Sequence, residues 1–445
     1  MSKKLLSLFL ALAMILSLVA CGQKATPADG NTSDDEEIEI SFMTIWAPND
    51  DTQPNRARNA IIEEFEAKHP NVKVVNNSIP QDEFLTKIVQ MSISDTLPDL
   101  FMCMKSQILT MIDNDRISPV SKYFDMIDGW EDQFIPATFD DLTVDGVPYA
   151  IPYQYQANAF AWANKAIFDK VGLEVPQTLE EVLAAAPILK AAGYTPIALG
   201  NTGAEWFGVI VLNAMIRGWV DGDWLADMLV NREAGKSWAD NEGWVAAMKW
   251  LEDAGSAQAF NQDCNSLAEN DAYLLYANQE AAMFICGGWF GEWLELNASD
   301  EVKDNTVCNY VPLTENSLVP TNSICAGSTW GWQISNKCEG EKLKLVTELA
   351  YMFSAEPYTQ AALNEGYVRV PCTFSQDADF SNVGPLTTEY AKLTNDGYAT
   401  PDYFNAMIDS ELRVSFGEIF QKLLIGEITA EQALAEQQAA YDLVF

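Results

Sequence analysis

The sequence predicts an α/β fold built in more than one part, and three observations carry that prediction. Short apolar, β-branched runs alternate with amphipathic helical stretches from residue 38 onward, the pattern of a parallel sheet with helices packed on it. The chain has 445 residues and is 48% hydrophobic, too much for one small core, so two domains are expected. Turn and capping signals fall between the runs at the spacing that such a fold needs.

Ile38-Glu39-Ile40-Ser41-Phe42-Met43 begins as an alternating strand and becomes continuously apolar, as a strand entering a core does. Asn55–Lys68 fits a helix with Ile61, Ile62 and Phe65 on one face, stopped by His69-Pro70. Val72, Val74 and Val75 form the next strand. Gln81–Ser94 is helical again, and Leu97–Met102 leads into a third strand. Asp145-Gly146 marks the turn of a hairpin over Leu142–Tyr149. Trp162-Ala163-Asn164-Lys165 is expected to open a short helix that ends near Gly172. Thr178 and Glu181 form a capping box for the next helix, where Pro187 predicts a kink or break. Further helices fit Trp244–Ala254, Lys342–Ser354, Pro401–Leu424 with an interruption, and Thr429–Tyr441 with a second capping box, Thr429 with Gln432.

The N-terminus has the parts of an export signal. Lys3 and Lys4 precede an apolar stretch from Leu5 to Val19 that is short for a spanning helix, which needs about 20 residues. It ends in Leu18-Val19-Ala20-Cys21, small residues before a cysteine, as a lipoprotein signal peptidase requires. Residues 1–20 are thus expected to be a lipoprotein signal peptide and Cys21 the lipidated residue. One acyl chain binds membranes only marginally, so the anchor needs the two chains of a diacylglyceryl cysteine. Residues 21–37, rich in Asp, Thr, Ser, Gly and Pro, form a disordered tether, because they cannot bury enough apolar surface to order themselves.

Composition excludes several function classes. With 26 Lys+Arg against 64 Asp+Glu, the net charge of −38 repels nucleic acid and anionic lipid. It disfavours acidic ligands unless a local basic pocket exists. His69 is the sole histidine. It sits at a helix end, which leaves little for a Ser-His-Asp or Cys-His arrangement or for a metal site of several histidines. A Walker loop is absent. Paired carboxylates could serve glycoside hydrolysis, but no pair stands out among 64 acidic residues. Apart from Cys21 there are Cys103, Cys264, Cys286, Cys308, Cys325, Cys338 and Cys372, with no C-x-x-C spacing, so buried free thiols are the expectation.

Four stretches in order carry a family resemblance. Phe65-Glu66-Ala67-Lys68-His69-Pro70-Asn71-Val72-Lys73-Val74 has the form F-x-x-x-x-P-x-V-x-V, and Leu97-Pro98-Asp99-Leu100 follows it. Asp145-Gly146 opens a longer series: Tyr149 and Pro152, then Asn164-Lys165 with Phe168 and Gly172-Leu173, then Thr178 to Glu181, then Gly193 to Ile197. Ala281-Ala282-Met283 with Gly287-Gly288-Trp289 completes it. In this order the chain resembles the family 1 extracellular solute-binding proteins, the maltose-binding-protein-like group. Ala163 stands where that family has a tyrosine before Asn-Lys. The resemblance implies a two-lobed periplasmic-binding-protein-like fold with hinge strands between the lobes. Lobe one would take 38–149 and 313–375, and lobe two 150–312 and 376–445. The crossings would fall at Ala150–Pro152, Tyr310–Pro312 and Pro371–Phe374.

The 13 tryptophans suggest the ligand. A flat indole matches the C–H face of a sugar ring and adds a polar N–H. Trp46, Trp206, Trp289 and Trp330 lie in predicted loops, where α/β lobes bind ligands. Trp162, Trp244 and Trp250 fall on strand or helix patterns and are expected in the core. The resemblance places Trp206 and Trp289 at stacking positions and Tyr153, Gln154 and Gln156 just after the first crossing. Asp99 is a candidate at a strand end, or else a cap. Tyr367 and Arg369 precede the last crossing, where Arg369 could meet a ligand or a structural acid. The resemblance then implies no enzyme and no cofactor. It implies a monomeric lipid-anchored protein on the extracytoplasmic face of the cell membrane, which binds carbohydrate and delivers it to ABC-transporter permease subunits. The same fold could instead bind a peptide or polyamine, or serve as a surface glycan-binding protein without transport.

Overall fold

The computed structural model describes residues 37–204, 206–231, 235–400 and 408–444. The expected signal peptide, Cys21, nearly all of the tether and the start of the helix from Pro401 lie outside the described residues.

Local chemistry builds the first elements as the sequence suggests. β1 (Ile38–Met43) turns Ile40 and Phe42 into a core and Glu39 outward. α1 (Gln53–Lys68) starts with Pro54 in its first turn and stops at His69, burying Ile61 and Phe65. β2 (Val72–Asn76) runs parallel to β1. After α2 (Gln81–Ile93), β3 (Leu100–Cys103) joins the other side of β1, also parallel. β4 (Thr143–Val144) and β5 (Val147–Pro148) form the expected hairpin. Asp145 and Gly146 both have positive φ, 50° and 76°, as a two-residue turn that matches strand twist requires. β6 (Ile151–Pro152) lies at the edge of the first sheet, whose order is β2-β1-β3 and then two strands antiparallel in turn, β13 (Gly331–Ile334) and β6. The expected parallel sheet is therefore only its first three strands.

The next element departs from the sequence reading. Trp162, Ala163 and Asn164 do not open a helix but close a strand, β8 (Phe160–Asn164), after the short β7 (Gln156–Ala157). α3 (Lys165–Val171) begins only where the Asn164 side chain accepts from the Ile167 amide, and Gly172 at φ 72° ends it. α4 (Leu179–Ala191) has the predicted capping box: the Glu181 amide donates to Thr178 Oγ1 at 3.2 Å and the Thr178 amide donates to the Glu181 carboxylate at 3.3 Å. Pro187 does not break this helix. Its missing N–H costs one bond, while Val182, Ala186 and Leu189 stay buried on either side of it. Thr178→Ala should cost about 1 kcal/mol, read as a lower urea midpoint with unchanged slope; an unchanged midpoint would mean that the box adds nothing.

A second sheet orders β11 (Thr306–Asn309), β8, β10 (Ala281–Cys286) and β9 (Thr195–Ala198). Both faces are buried, and the two-residue period divides the side chains of β8 between them. Ala161 and Ala163 face a core with Phe168, Trp244, Trp250 and Phe416. Phe160 and Trp162 face another with Tyr276, Phe290 and Tyr390. The first of these takes up α5 (Glu242–Ser256), α11 (Ser410–Leu424) and α12 (Ala430–Val444). The other packs α6 (Glu269–Ala277), α7 (Gly288–Asn297) and α10 (Pro385–Asp396). The remaining core lies around the first sheet and packs α8 (Gly340–Met352) and α9 (Glu356–Asn364).

The packing changes hands later than the resemblance implied. Leu313 bridges Thr178 and sits beside Val311 near the second sheet. β12 (Ser323–Gly327) pairs with β7 and with β14 (Tyr398–Thr400), and the Arg217 guanidinium donates to the Ser323 carbonyl at 2.6 Å. Residues 313–327 therefore pack with the second sheet rather than the first. The chain returns to the first sheet between Gly327 and Gly331, because β13 needs the free edge of β3. The seven cysteines among the described residues are all buried, with no disulfide between any two of them. No helix among the described residues is long and apolar enough to cross a membrane.

Candidate functional site

Three backbone passages leave the first sheet: β6 to β7 and β12 to β13, which link it to a three-stranded sheet of order β14-β12-β7, and the stretch after α9. Residues on and beside these passages form one connected group of aromatic and polar side chains. It contains every candidate binding residue except Asp99 and Trp330.

The first end of the group lies at the carboxyl end of β1. Half-buried Trp46 is 5.4 Å from the Tyr153 ring, and the Arg58 guanidinium covers it at 4.5 Å from the ring centroid. Arg58 also donates to the Tyr153 hydroxyl at 3.2 Å. That hydroxyl meets Tyr358 at 3.1 Å and Tyr367 at 3.4 Å, and Tyr367 donates to Gln154 Oε1 at 3.4 Å. All three phenols are buried, and burial pushes the Tyr358 and Tyr367 hydroxyls well above the usual tyrosine range.

Arg369 joins this end to the other. Its guanidinium lies 4.7 Å from the Tyr367 ring centroid and 5.7 Å from that of Trp289. It grips Glu292 with two bonds, Nε to Oε1 at 3.1 Å and Nη2 to Oε2 at 2.8 Å, and donates to Gln156 Oε1 at 2.8 Å. Burial opposes its charge, but Glu292 and Tyr367 override that and hold its pKa well above the ordinary value. Gln156 donates in turn to Asn158 at 3.1 Å.

At the second end Trp289 and Trp206 meet edge to face at 6.1 Å. The Trp289 ring lies back over its own turn: a Cβ at Gly287 would come within 2.0 Å of it, and one at Gly288 within 2.4 Å of Tyr390. The Gly-Gly-Trp motif is thus a packing requirement. Trp289 Nε1 donates to Glu269 at 2.8 Å. Glu269 also accepts from Tyr273 and Cys286, yet burial leaves its carboxyl above the usual range. Trp206 opens a π-helical turn, Phe207–Leu212, a rare conformation that recurs at functional sites. Its Nε1 is buried without an acceptor among the described residues.

The side chains of two candidates lie outside the group, although Trp330 stands on the second passage and its carbonyl accepts from the Tyr153 amide at 3.3 Å. Asp99 stands at the amino end of β3, where its carboxylate accepts from the amide and hydroxyl of Ser41, each at 2.8 Å, and pairs with Lys342 at 2.8 Å. It ties β1 to β3 and α8, at the opposite end of the strand from Trp46. Trp330 is buried in the first core, edge-on to Phe84 at 5.9 Å. Trp162, Trp244 and Trp250 are buried, as expected. His69 contacts Glu348 at 3.1 Å, remote from the group.

Sequence reasoning missed Arg58, Glu269, Glu292 and Tyr358. Arg58 had a usable signal: it falls on the apolar stripe of α1 with Ile61 and Phe65. Glu269 reads as an ordinary first-turn acid, and Glu292 is one carboxylate among many. Two surface hollows, of about 230 Å³ beside Tyr194 and about 330 Å³ beside Leu173, share no lining residue with the group. The arrangement presents partly exposed indole faces at its ends, while the hydroxyls, amides and charged groups between them are buried and bonded to one another; flat apolar faces beside a few fixed polar groups suit binding of a small polar solute.

Comparison with known proteins agrees with this chemistry. Residues 49–343 match the family model of the bacterial extracellular solute-binding proteins. An ABC transporter extracellular-binding protein of Pyrococcus horikoshii is 25% identical over 303 residues, 65% of each chain; the match thus spans less than two thirds of that relative. A probable sugar-binding periplasmic protein of Rhizobium meliloti is 23% identical over 329 residues, 71% of this chain and 73% of the relative. Among solved structures, a chitin oligosaccharide binding protein superposes with a TM-score of 0.77 at 20% identity, covering 92% of this chain and 98% of that one. At that identity the likeness shows the fold alone, a two-lobed α/β architecture. The matched family consists of binding proteins, not enzymes. On a family match over more than half its length, this chain belongs to the bacterial extracellular solute-binding proteins.

Proposed function

We propose that the chain captures a sugar or oligosaccharide between its two lobes and delivers it, as a monomer, to the permease of an ABC importer. One observation carries this reading: Trp46 beside the first sheet and Trp289 and Trp206 beside the second are joined by hydrogen-bonding side chains that follow the crossings. Indoles supply faces for sugar C–H groups, and the bonded side chains between them hold those faces in place. The relative named as a probable sugar-binding protein supports the same class.

The lobes in this proposal are 38–152 with 331–367, and 156–327 with 374–444. The hinge then lies at 153–155, 328–330 and 368–373. Ligand touching both lobes binds the closed state better and shifts the population toward it. Thermal melts with maltotriose, xylotriose and triacetylchitotriose test the ligand class. A ligand at a hundred times its Kd should stabilise the fold by about 2.7 kcal/mol. Stabilisation by putrescine or a short peptide and by none of the sugars would replace this reading with a different solute.

The lipid anchor belongs to the same proposal, with Cys21 holding the protein at the extracytoplasmic face. Cys21→Ala should move it from the membrane fraction to the medium or leave it unprocessed. Fractionation identical to the native protein would remove the anchor from the proposal.

A further inference from the structure

Arg58 is 1% exposed, yet no carboxylate lies within ion-pair distance of it among the described residues. The contrast is with Arg56, Arg116 and Arg369, each of which has an acidic partner. Burying a cation without an anion is costly, so its other partners must compensate. They are of two kinds. Two rings face the guanidinium, Trp46 at 4.5 Å and Tyr153 at 5.8 Å, and their negative faces attract it more strongly away from water. Two oxygens accept from its fork, the Asn55 side chain and the Tyr153 hydroxyl.

Asn55 links this arrangement to the loop that bears Trp46. While its oxygen accepts from Arg58, its nitrogen donates to the carbonyls of Ala47 at 3.0 Å and Asp50 at 2.8 Å. The Trp46 amide donates to Thr44 Oγ1 at 3.2 Å. Backbone and ring of the same tryptophan are thus held from below by separate bonds. A loop tryptophan free to rotate would lose that freedom on binding; one already fixed does not.

We propose that Arg58 is a positioning residue: it clamps the Trp46 indole from one side and presents the other face, fixed in advance, to a sugar ring. The inference rests on the reading of Trp46 as a ligand contact. Arg58 itself touches no ligand. It is too deeply buried, and its fork is occupied by Asn55 and Tyr153. A guanidinium does more than an ammonium here, because its charge sits over the indole while its fork reaches two acceptors.

The test has two arms. In protein labelled with 5-fluorotryptophan, the Trp46 resonance is the one lost in Trp46→Phe. It should be sharp in the native protein and should broaden or move in Arg58→Met. Arg58→Lys should fall between, since the charge can stay over the ring while the fork is lost. The binding arm uses whichever of maltotriose, xylotriose and triacetylchitotriose the native protein holds most tightly. Arg58→Met should weaken it by about 5- to 30-fold and have no further effect in the Trp46→Ala background. An unmoved Trp46 resonance in both Arg58 variants overturns the proposal, and so does an equal loss of affinity with and without Trp46. Should Arg58→Met fail to fold, Arg58→Lys decides by the same two readouts. Native affinity in Trp46→Ala would instead sink Trp46 as a ligand contact, while the fluorine spectra still judge the clamp.

Discussion

Glu292→Gln should lower the stability of the fold by about 3–5 kcal/mol, because it strands the Arg369 charge in a buried site. The glutamine could still accept one bond but could not balance the guanidinium. Glu292 and Arg369 are 4% and 9% exposed at the side chain, so water cannot take over. Arg369→Met should cost a comparable amount by leaving the carboxylate unpaired. The double replacement Arg369→Met with Glu292→Leu should recover much of the loss, since a buried pair is worth little over apolar packing of similar volume. Urea titrations of the two single variants and the double one give the coupling directly. Single variants within 1 kcal/mol of the native protein would mean that the pair is hydrated or open in solution.

Trp289→Ala should weaken sugar binding by about 5- to 150-fold, the loss of one stacked aromatic contact worth about 1–3 kcal/mol. Most of the change should appear as faster dissociation. The variant also removes the N–H that Glu269 accepts and the ring face near Arg369, so a moderate fall in melting temperature is expected beside it. Trp206→Ala should act in the same direction, with less strain, because its N–H has no partner to lose among the described residues. Trp250→Ala is the control. Its ring is buried and its Nε1 donates to the Leu179 carbonyl at 3.0 Å, so truncation should cost about 3–5 kcal/mol of stability. Calorimetric titration beside thermal melts separates the cases. If Trp289→Ala melted like Trp250→Ala while its folded fraction bound sugar normally, Trp289 would be a core residue.

These expectations turn on contacts that differ in how visible they are from sequence. Trp289 was legible as a neighbour of the crossings, because it stands in the turn after an apolar strand and the family resemblance placed it there too. Tyr153, Gln154 and Gln156 were legible as a cluster just past a strand. Asp99 and Trp330 show the limit of that reasoning. Both stand beside strands, but strand direction and neighbours decide whether a strand end faces a cleft or a core. Asp99 is at the amino end of β3, tied to Ser41, and Trp330 is turned onto Phe84. Nothing local distinguishes those outcomes.

The sequence by itself determined the family, the alternating α/β plan and the local stops and starts: the Asp145-Gly146 turn, the Thr178 capping box, the end of α1 at His69. These follow from rules that act within a few residues, turn geometry and the periods of 2 and 3.6. Only the tertiary structure decided that Trp162 closes a strand, that 313–327 packs with the second sheet, and which acid neutralises Arg369. Glu292 and Arg369 lie 77 residues apart, and Tyr153 meets Tyr367 across 214. Such partners are chosen by which strands find free edges and which faces remain to be covered. One carboxylate among 64 carries no local mark of being the buried one.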